Sequence, residues 1–565
     1  MTTTLPDVNE SLVGSAPRVT VLSDRCAGCQ ECLVRCPTGA LTMDLNSWTV
    51  VADNARCVGC RQCVRTCPFA AIDVVGAPVV AVRVELTQRR PETLAANVDE
   101  THLGFTNWSD ALAEAERCLN CPDPTCVRGC PAHNDIPSFI AALREGDLDE
   151  AHRVLRRTSF LPDVCARVCD QALQCEGACT WSLAGAAPVA IGALERFVTD
   201  NAPVPPVEVV SVRGGPSVAV VGSGPAALGA AHELVSAGAT VTVFERDDEP
   251  GGLLNWGIPN FTLPRPVAQR PWHQLIAAGV EVVGGHEVTA GELDELRSRF
   301  DAVILAHGAG GAMRVAVPGS DLGGVVDATT FLHEARSALA RERACPLLSS
   351  RATKAPPFVL VLGAGNTAMD VARLARRLGA DVSCVDWMDR RWAPVRPDEL
   401  DEAVAEGVEV QFTRTLTRLE GESGWVARAF LATTTQPSAL RSPQIVPDAT
   451  IEVAVDLVVM AMGYRIEPTF PGVAPVVPVA RPLPAYLDRR FVASGLAAAG
   501  TPEHARGRPI AQLSLTRDVG QRIAERGTLA GVYVVGDALV GPSSVVEAMA
   551  QGRSVARAIL RHGTS

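Results

Sequence analysis

The chain has 565 residues, room for three to five domains, and with 47 % apolar and 20 % charged residues it has the composition of a folded protein in water. Its net charge of −12 gives no support to a nucleic-acid partner. No run of eighteen apolar residues occurs, so no membrane span is expected, and the polar first seventeen residues lack the charged and apolar regions of a signal peptide. The expectation is a cytoplasmic protein.

Residues 1–18 read as a flexible tail. Of the eighteen cysteines that follow, sixteen precede residue 180, and only Cys345 and Cys384 lie beyond it. In a reducing compartment that many cysteines argue for metal or redox chemistry, not disulfides. Residues 19–78 carry Cys26-x2-Cys29-x2-Cys32-x3-Cys36-Pro37, repeated as Cys57-x2-Cys60-x2-Cys63-x3-Cys67-Pro68. Three closely spaced thiolates hold three irons of one cubane, and the fourth, turned away by the proline, reaches the other. This predicts one 4Fe–4S cluster on Cys26, Cys29, Cys32 and Cys67 and a second on Cys57, Cys60, Cys63 and Cys36. A pair of zinc sites needs only four ligands in two pairs, which leaves the third cysteine and the proline of each run unexplained. The segment looks like a two-cluster ferredoxin. Short strands are expected at Ala40–Met43 and Ala70–Val74.

Residues 79–107 read as a connector in which Arg89-Arg90-Pro91 breaks any regular element. Residues 108–200 show helical spacing from Trp108, and again around Ile136–Leu143 and Leu148–Leu155. These helices frame Cys118, Cys121, Cys126 and Cys130 on one side and Cys165, Cys169, Cys175 and Cys179 on the other. The spacing of the second group is irregular for zinc and leaves its role open. Residues 117–198, with RCLNCPDPTCVRGCPAHNDIPSFI, LPDVCARVCDQALQCEGACT and IGALERFVTD, resemble the iron–sulfur domain of the glutamate synthase small-subunit family, which also opens dihydropyrimidine dehydrogenase. The resemblance implies one 4Fe–4S cluster on Cys118, Cys121, Cys126 and Cys179, and another on Cys130, Cys169 and Cys175 with a side-chain oxygen as fourth ligand. In the dehydrogenase that oxygen belongs to a glutamine sixteen residues after the last cysteine; the same offset here reaches Glu195. A carboxylate adds negative charge and should lower that cluster's potential. Cys165 is left without a ligand role, as a packed residue.

A linker at 201–215 leads to the first half of a flavin domain, 216–328. There Val218–Val221 reads as a buried strand, followed by Gly222-Ser223-Gly224-Pro225-Ala226-Ala227, a helix, and a strand ending in Glu245, twenty-three residues after the first glycine. Glycines of this kind let backbone approach a pyrophosphate at a helix N-terminus, and the acid accepts from a ribose hydroxyl. Gly252, Leu253 and the segment NWGIPNFTLP resemble the family's FAD-contacting stretch. A second such unit, expected at 329–465, runs from Phe358–Leu362 through Gly363, Gly365, Asn366 and Thr367 to Asp386 and is read as the NAD(P)H site. The FAD domain is expected to resume at 466–565, where VYVVGDALVGPSSVVEAMAQGR resembles the closing flavin motif; the resemblance implies that Gly536 and Asp537 would meet the ribityl chain or pyrophosphate. The helix beginning near Ser544 and Val545 would turn its positive end to the flavin.

The fold expected is therefore a multidomain α/β chain: a ferredoxin-like module with two 4Fe–4S clusters, an α-helical iron–sulfur domain, and two Rossmann-like nucleotide-binding domains, the FAD domain split by the NAD domain. Relatives that use NADPH commonly carry an aromatic and two arginines after the second unit's last strand. This chain has Asp386-Trp387-Met388-Asp389-Arg390-Arg391, with an acid where a 2′-phosphate would be repelled. NADH is expected over NADPH, with Arg390 and Arg391 near the nucleotide. No catalytic side chain is assigned, because hydride transfer takes place at the FAD. The expected activity moves electrons between NAD(P)H and a protein partner, a ferredoxin or an oxidoreductase large subunit, within a hetero-complex. Rival readings are a glutamate synthase small subunit and a non-catalytic electron-relay subunit.

Overall fold

Each cysteine run of the ferredoxin-like module folds in the same way. The backbone turns through a left-handed residue, Gln30 (φ 65°) or Arg61 (φ 56°), into a helix of about one turn, Glu31–Val34 or Gln62–Thr66. The second helix ends at Cys67, which is extended because Pro68 follows it. Strand Arg18–Val21 pairs antiparallel with Ile72–Val75, and Leu41–Asp44 with Thr49–Ala52, so both expected strands form one or two residues late. The core is small: Val19, Leu41, Val50, Ile72 and Val74 close around Cys32 and Cys63. A core of this size cannot hold such a module by hydrophobic burial alone, which makes its stability depend on what the cysteines bind.

The computed structural model describes residues 15–89, 100–211, 214–349, 356–438, 440–466, 470 and 531–562. The tail expected at 1–18 is thus described only from residue 15. Arg90-Pro91 and most of the expected 466–565 domain before residue 531 also lie outside the described residues.

In the helical domain, helices Trp108–Glu116, Ile136–Arg144 and Leu148–Arg156 start where short polar side chains cap them. Asn107 accepts from the Asp110 N–H, Asp135 from Ser138 and Asp147 from Glu150. Helices Pro162–Val168 and Ile191–Asn201 complete the layer, with Phe139, Leu143, Leu155, Phe160, Leu161 and Leu194 buried between them. Residues 79–87, the first part of the expected connector, are tied to the helical domain. The fully buried Glu114–Arg117 pair fastens them: Arg117 Nε donates to the Ala81 carbonyl (2.9 Å) and Glu114 Oε2 accepts from the Val84 N–H (2.9 Å). Arg83 adds an ion pair to Glu176 (3.1 Å). The ferredoxin-like module and the helical domain consequently make a single unit, with described residues 15–87 and 104–205.

The second unit holds two five-stranded parallel sheets of the same plan. The first has the order Val532–Val534, Ala302–Leu305, Ser217–Val221, Thr240–Phe244, Glu281–Val283. The second has the order Val325–Asp327, Leu457–Met460, Phe358–Leu362, Asp381–Val385, Glu409–Gln411. Central strands of both are continuous apolar runs, as parallel strands covered on both faces must be. Val532–Val534 joins the first sheet after the whole second sheet has intervened, which is the expected split. Val325–Asp327 belongs to the second sheet, so that sheet begins ahead of the boundary placed at residue 328. An antiparallel meander, Arg414–Glu422, Trp425–Thr435 and Gln444–Ala454, covers one face of the second sheet through Leu416, Leu419, Val426, Ala429 and Leu431. Helices Ala328–Ala340 and Asn366–Arg377 cover the other.

Candidate functional site

The cysteines gather in four groups. Cys36, Cys57, Cys60 and Cys63 line one cavity, and Cys118, Cys121, Cys126 and Cys179 line another. Cys32 has Cys67, Cys26 and Cys29 as its electrostatic neighbours. Cys130, Cys169 and Cys175 stand together with Glu195. Cys36 therefore sits with the second run and Cys67 with the first, the crossover that the prolines imply. Cys165, 3 % exposed, is packed as expected but against this last group, hydrogen-bonded with Cys169.

These groups suit a cationic centre. Burial pushes the Cys63 and Cys130 thiols up to about 12 and Cys32 to about 11, so these three thiols favour the neutral form unless positive charge is near. Glu195 is 7 % exposed, its Oε1 has no hydrogen-bond partner, and burial raises its carboxyl well above the usual range. An orphaned carboxyl oxygen beside three buried thiols fits the donor set of a cationic centre. Among the described residues no three His, Cys, Asp or Glu side chains converge on one point as a single ion requires.

The two dinucleotide folds repeat one turn. Gly222 (φ 94°) and Gly363 (φ 112°) leave their strands so close to the neighbouring strand that a Cβ would lie 2.6 Å from the Ala306 carbonyl and 2.4 Å from that of Ala461. Only glycine fits there. In the first fold Gly224 precedes helix Pro225–Ser236, with proline at its first position and Ala226 next. Glu245, 5 % exposed, accepts from Ser223 Oγ and from the Asp247 N–H (2.9 Å). Ser223 Oγ also accepts from the Gly251 N–H (2.8 Å), which brings Gly252 against the turn, with Leu253 opening the short helix that follows. Gly536 lies beside Ala226, and Asp537 Oδ1 accepts from the Ser543 N–H (3.0 Å). Ser544 and Glu547 form a reciprocal capping box at the start of helix Val545–His562.

Sequence reading missed three polar groups here. Asn255 is wholly buried with both amide atoms unpartnered, as is Asn260 Oδ1. His307, just past strand Ala302–Leu305, has an unpartnered Nδ1 and is driven down to about 4 by burial and by Arg246. Ligands of parallel sheets bind beyond the carboxyl ends of the strands, and these orphaned atoms fit a polar heterocycle such as a flavin. Asn255 and Asn260 stand in the NWGIPNF stretch, where an Asn in an apolar segment was the available signal.

In the second fold Gly365 precedes helix Asn366–Arg377, which carries Thr367 in its first turn. Asn366 Oδ1 accepts from the Arg396 N–H (3.1 Å). Asp386, 7 % exposed and raised by burial, accepts from the N–H groups of Ala364 (2.8 Å) and Met388 (2.7 Å). It stands against its glycine turn as Glu245 does. Arg391 pairs with Asp389 (2.8 Å), and Arg390 is exposed on the same turn.

Comparison with known families agrees with this division. Residues 25–71 match a 4Fe-4S dicluster domain, 94–204 the dihydropyrimidine dehydrogenase domain II with its 4Fe-4S cluster, and 216–474 the pyridine nucleotide-disulphide oxidoreductases. Fold and site define an iron–sulfur flavin oxidoreductase that binds NAD(P)H. Among similar proteins, one named as the oxidoreductase UacF, of Escherichia coli (strain K12), is 31 % identical over 96 % of this chain and 82 % of its own. The glutamate synthase [NADPH] small chain of Azospirillum brasilense is 32 % identical over 80 % of this chain and 90 % of its own. That of Escherichia coli (strain K12) is 35 % identical over 63 % and 77 %. The chain belongs to the glutamate synthase small-subunit family. Among the described residues no helix is long and apolar enough to cross a membrane.

Proposed function

We propose that this chain moves electrons between NADH and a protein partner through FAD and four 4Fe–4S clusters. The observation that carries this reading is the crowding of all four cysteine groups into one unit. When bound, the flavin takes two electrons as hydride and releases them singly to one-electron clusters. The chain's own residues do the holding. Cys26, Cys29, Cys32 and Cys67, and Cys36, Cys57, Cys60 and Cys63, take the two ferredoxin-type clusters. Cys118, Cys121, Cys126 and Cys179 take the third, and Cys130, Cys169, Cys175 and Glu195 the fourth. The glycine turn at Gly222–Ala226, with Glu245, Gly252, Leu253, Gly536, Asp537, Ser544 and Val545, takes the FAD. Gly363–Thr367 with Asp386 takes the nicotinamide nucleotide. Anaerobically purified protein should carry about sixteen irons and one FAD, and NADH should bleach the flavin. About eight irons would mean that one cysteine-rich domain is misread, and a flavin indifferent to NADH would leave a passive relay.

A second reading, a glutamate synthase small chain feeding a large subunit, is favoured by the 32 % and 35 % identities to such chains. Co-purification with a large subunit from the native host decides between the two.

Glu195 has a rival within reach in Cys165. Glu195→Ala should cost about four irons per chain with flavin content unchanged, whereas Cys165→Ala should leave iron intact. The reverse result assigns the fourth position to Cys165.

The two glutamate synthase chains above are named for NADPH, but Asp386 lies against the glycine turn of the second fold, and an acid there disfavours a 2′-phosphate. Arg391, a counter-charge on that turn, is held by Asp389. Repulsion of ~1.4 kcal/mol suffices for about a tenfold preference, so NADH should reduce the flavin at least about ten times more efficiently than NADPH in stopped-flow assays. Equal rates, or a preference for NADPH, would overturn the assignment.

A further inference from the structure

Two of the cysteine cavities meet at a pair of buried polar side chains. Gln62, 1 % exposed, lines the cavity of Cys36, Cys57, Cys60 and Cys63; Thr180, 4 % exposed, lines that of Cys118, Cys121, Cys126 and Cys179. Thr180 Oγ1 lies 3.2 Å from Gln62 Oε1 and 3.4 Å from Cys121 Sγ. The Gln62 amide is oriented by its other contacts. Its Nε2 donates to the Asp123 carbonyl (2.9 Å), and its Oε1 also accepts from Arg65 Nη2 (3.3 Å). Cys60 and Cys121 are close enough across this junction to interact electrostatically.

A hydroxyl has one proton, and here it has two acceptors. A cysteine bound to iron is a thiolate and can only accept. Were Thr180 to turn its proton to Cys121, Gln62 Oε1 would still have Arg65 as donor, so the rotation leaves no buried group unsatisfied.

We propose that the Thr180 hydroxyl divides its proton between Gln62 and Cys121 Sγ, and that this pair is a positioning device that tunes the cluster site at Cys118, Cys121, Cys126 and Cys179 where it faces the ferredoxin-like module. No covalent bond forms or breaks. Added negative charge on the sulfur draws the proton towards Cys121, and loss of that charge returns it to Gln62. A hydrogen bond to a ligand sulfur stabilises the more negative state and so raises the reduction potential. The inference rests on the proposed reading that these four cysteines hold a 4Fe–4S cluster.

The test is an EPR-monitored redox titration of the full chain, purified anaerobically, with iron measured on every sample. Thr180→Val removes the donor, and the midpoint of one cluster should fall. Gln62→Met removes the competing acceptor, and the midpoint of the same cluster should rise. Thr180→Ser should restore the wild-type value. Shifts of opposite sign at full iron content are not what a purely structural role produces. An unchanged midpoint in Thr180→Val, or shifts of the same sign in both variants, would overturn the proposal. Should Thr180→Val lose iron, Gln62→Met alone decides, and no upward shift there is equally fatal. Failure of the underlying reading looks different: Cys126→Ala would then leave iron content at the wild-type level.

Discussion

Gly552→Ala should yield protein that has lost its flavin and kept its iron. Helix Val545–His562 lies directly on helix Pro225–Ser236, backbone against backbone. A Cβ at residue 552 would stand 1.9 Å from the Ala226 carbonyl oxygen and 3.0 Å from the Ala230 nitrogen. The contact is reciprocal, because a Cβ at Gly229 would lie 2.3 Å from the Met549 carbonyl oxygen. No rotamer relieves an overlap between a Cβ and backbone, so the helices must part by about 1.5 Å to reach ordinary contact near 3.5 Å. Overpacking of this kind costs ~1–3 kcal/mol or more. Here it acts on the helix whose first turn follows Gly224 and contains Ala226, where the dinucleotide phosphates are expected. Arg553 and Arg557, both paired to Glu233, resist the separation and add strain. Flavin absorbance per protein and iron per protein, measured on one sample, check the result. Full flavin occupancy would show that the helices can separate without disturbing the turn.

Glu406→Ala should destabilise the second dinucleotide fold by about 3–5 kcal/mol, the usual cost of removing one partner from a buried ion network. Glu406 Oε1 accepts from Arg373 Nη2 and Arg377 Nη2, each at 2.7 Å, and Oε2 from Arg377 Nε at 2.8 Å. All three side chains are at most 4 % exposed. Phe261 lies 4.5 Å and 4.0 Å from the two guanidinium carbons, so water cannot easily replace the lost carboxylate. Glu402 and Glu399 still pair Arg373 in the variant, whereas Arg377 loses the carboxylate that accepts from both its Nε and its Nη2. Burial raises the Glu406 carboxyl, yet the paired arginines outweigh it and hold the group below its usual range. Its stabilisation is therefore present above the unfolded carboxylate range and is lost as pH falls through the lower folded value. Urea titrations at neutral pH check the magnitude. A loss under ~1 kcal/mol would mean that Glu399 and Glu402 take over the whole charge.

The ion network also shows what chain order does not reveal. Arg373 and Arg377 read as the polar face of an amphipathic helix, and on most surface helices they would be solvated. They are buried because helix Pro397–Ala405 and the turn that ends it at Glu406 pack over them. The meander at 414–454 escaped notice for a related reason. Its strands alternate apolar and polar residues over long spans, but nothing local says that the apolar side will find the second sheet. Val325–Asp327 is too short to register as a strand by its own pattern; pairing with Leu457–Met460 makes it one.

Chemistry confined to neighbouring residues was legible where the spacing is regular, and not at Cys165–Cys179, where it is irregular. Three cysteines at i, i+3 and i+6 followed by Cys-Pro dictate both a cubane-type site and its crossover, because the spacing itself sets which thiols can face one centre. Glycines at Gly222 and Gly363, with an acid twenty-three residues on, dictate a strand–turn–helix, because only glycine tolerates that turn. Tertiary structure alone decided the contacts between distant segments: residues 79–87 bound to Glu114 and Arg117, Gly552 against Ala226, and Gln62 against Thr180. Each depends on burial, and burial is a property of the assembled fold. A glutamine inside a cysteine run and a threonine after a cysteine carry no local signal. They acquire a role only when folding brings two cysteine cavities to either side of one hydrogen bond.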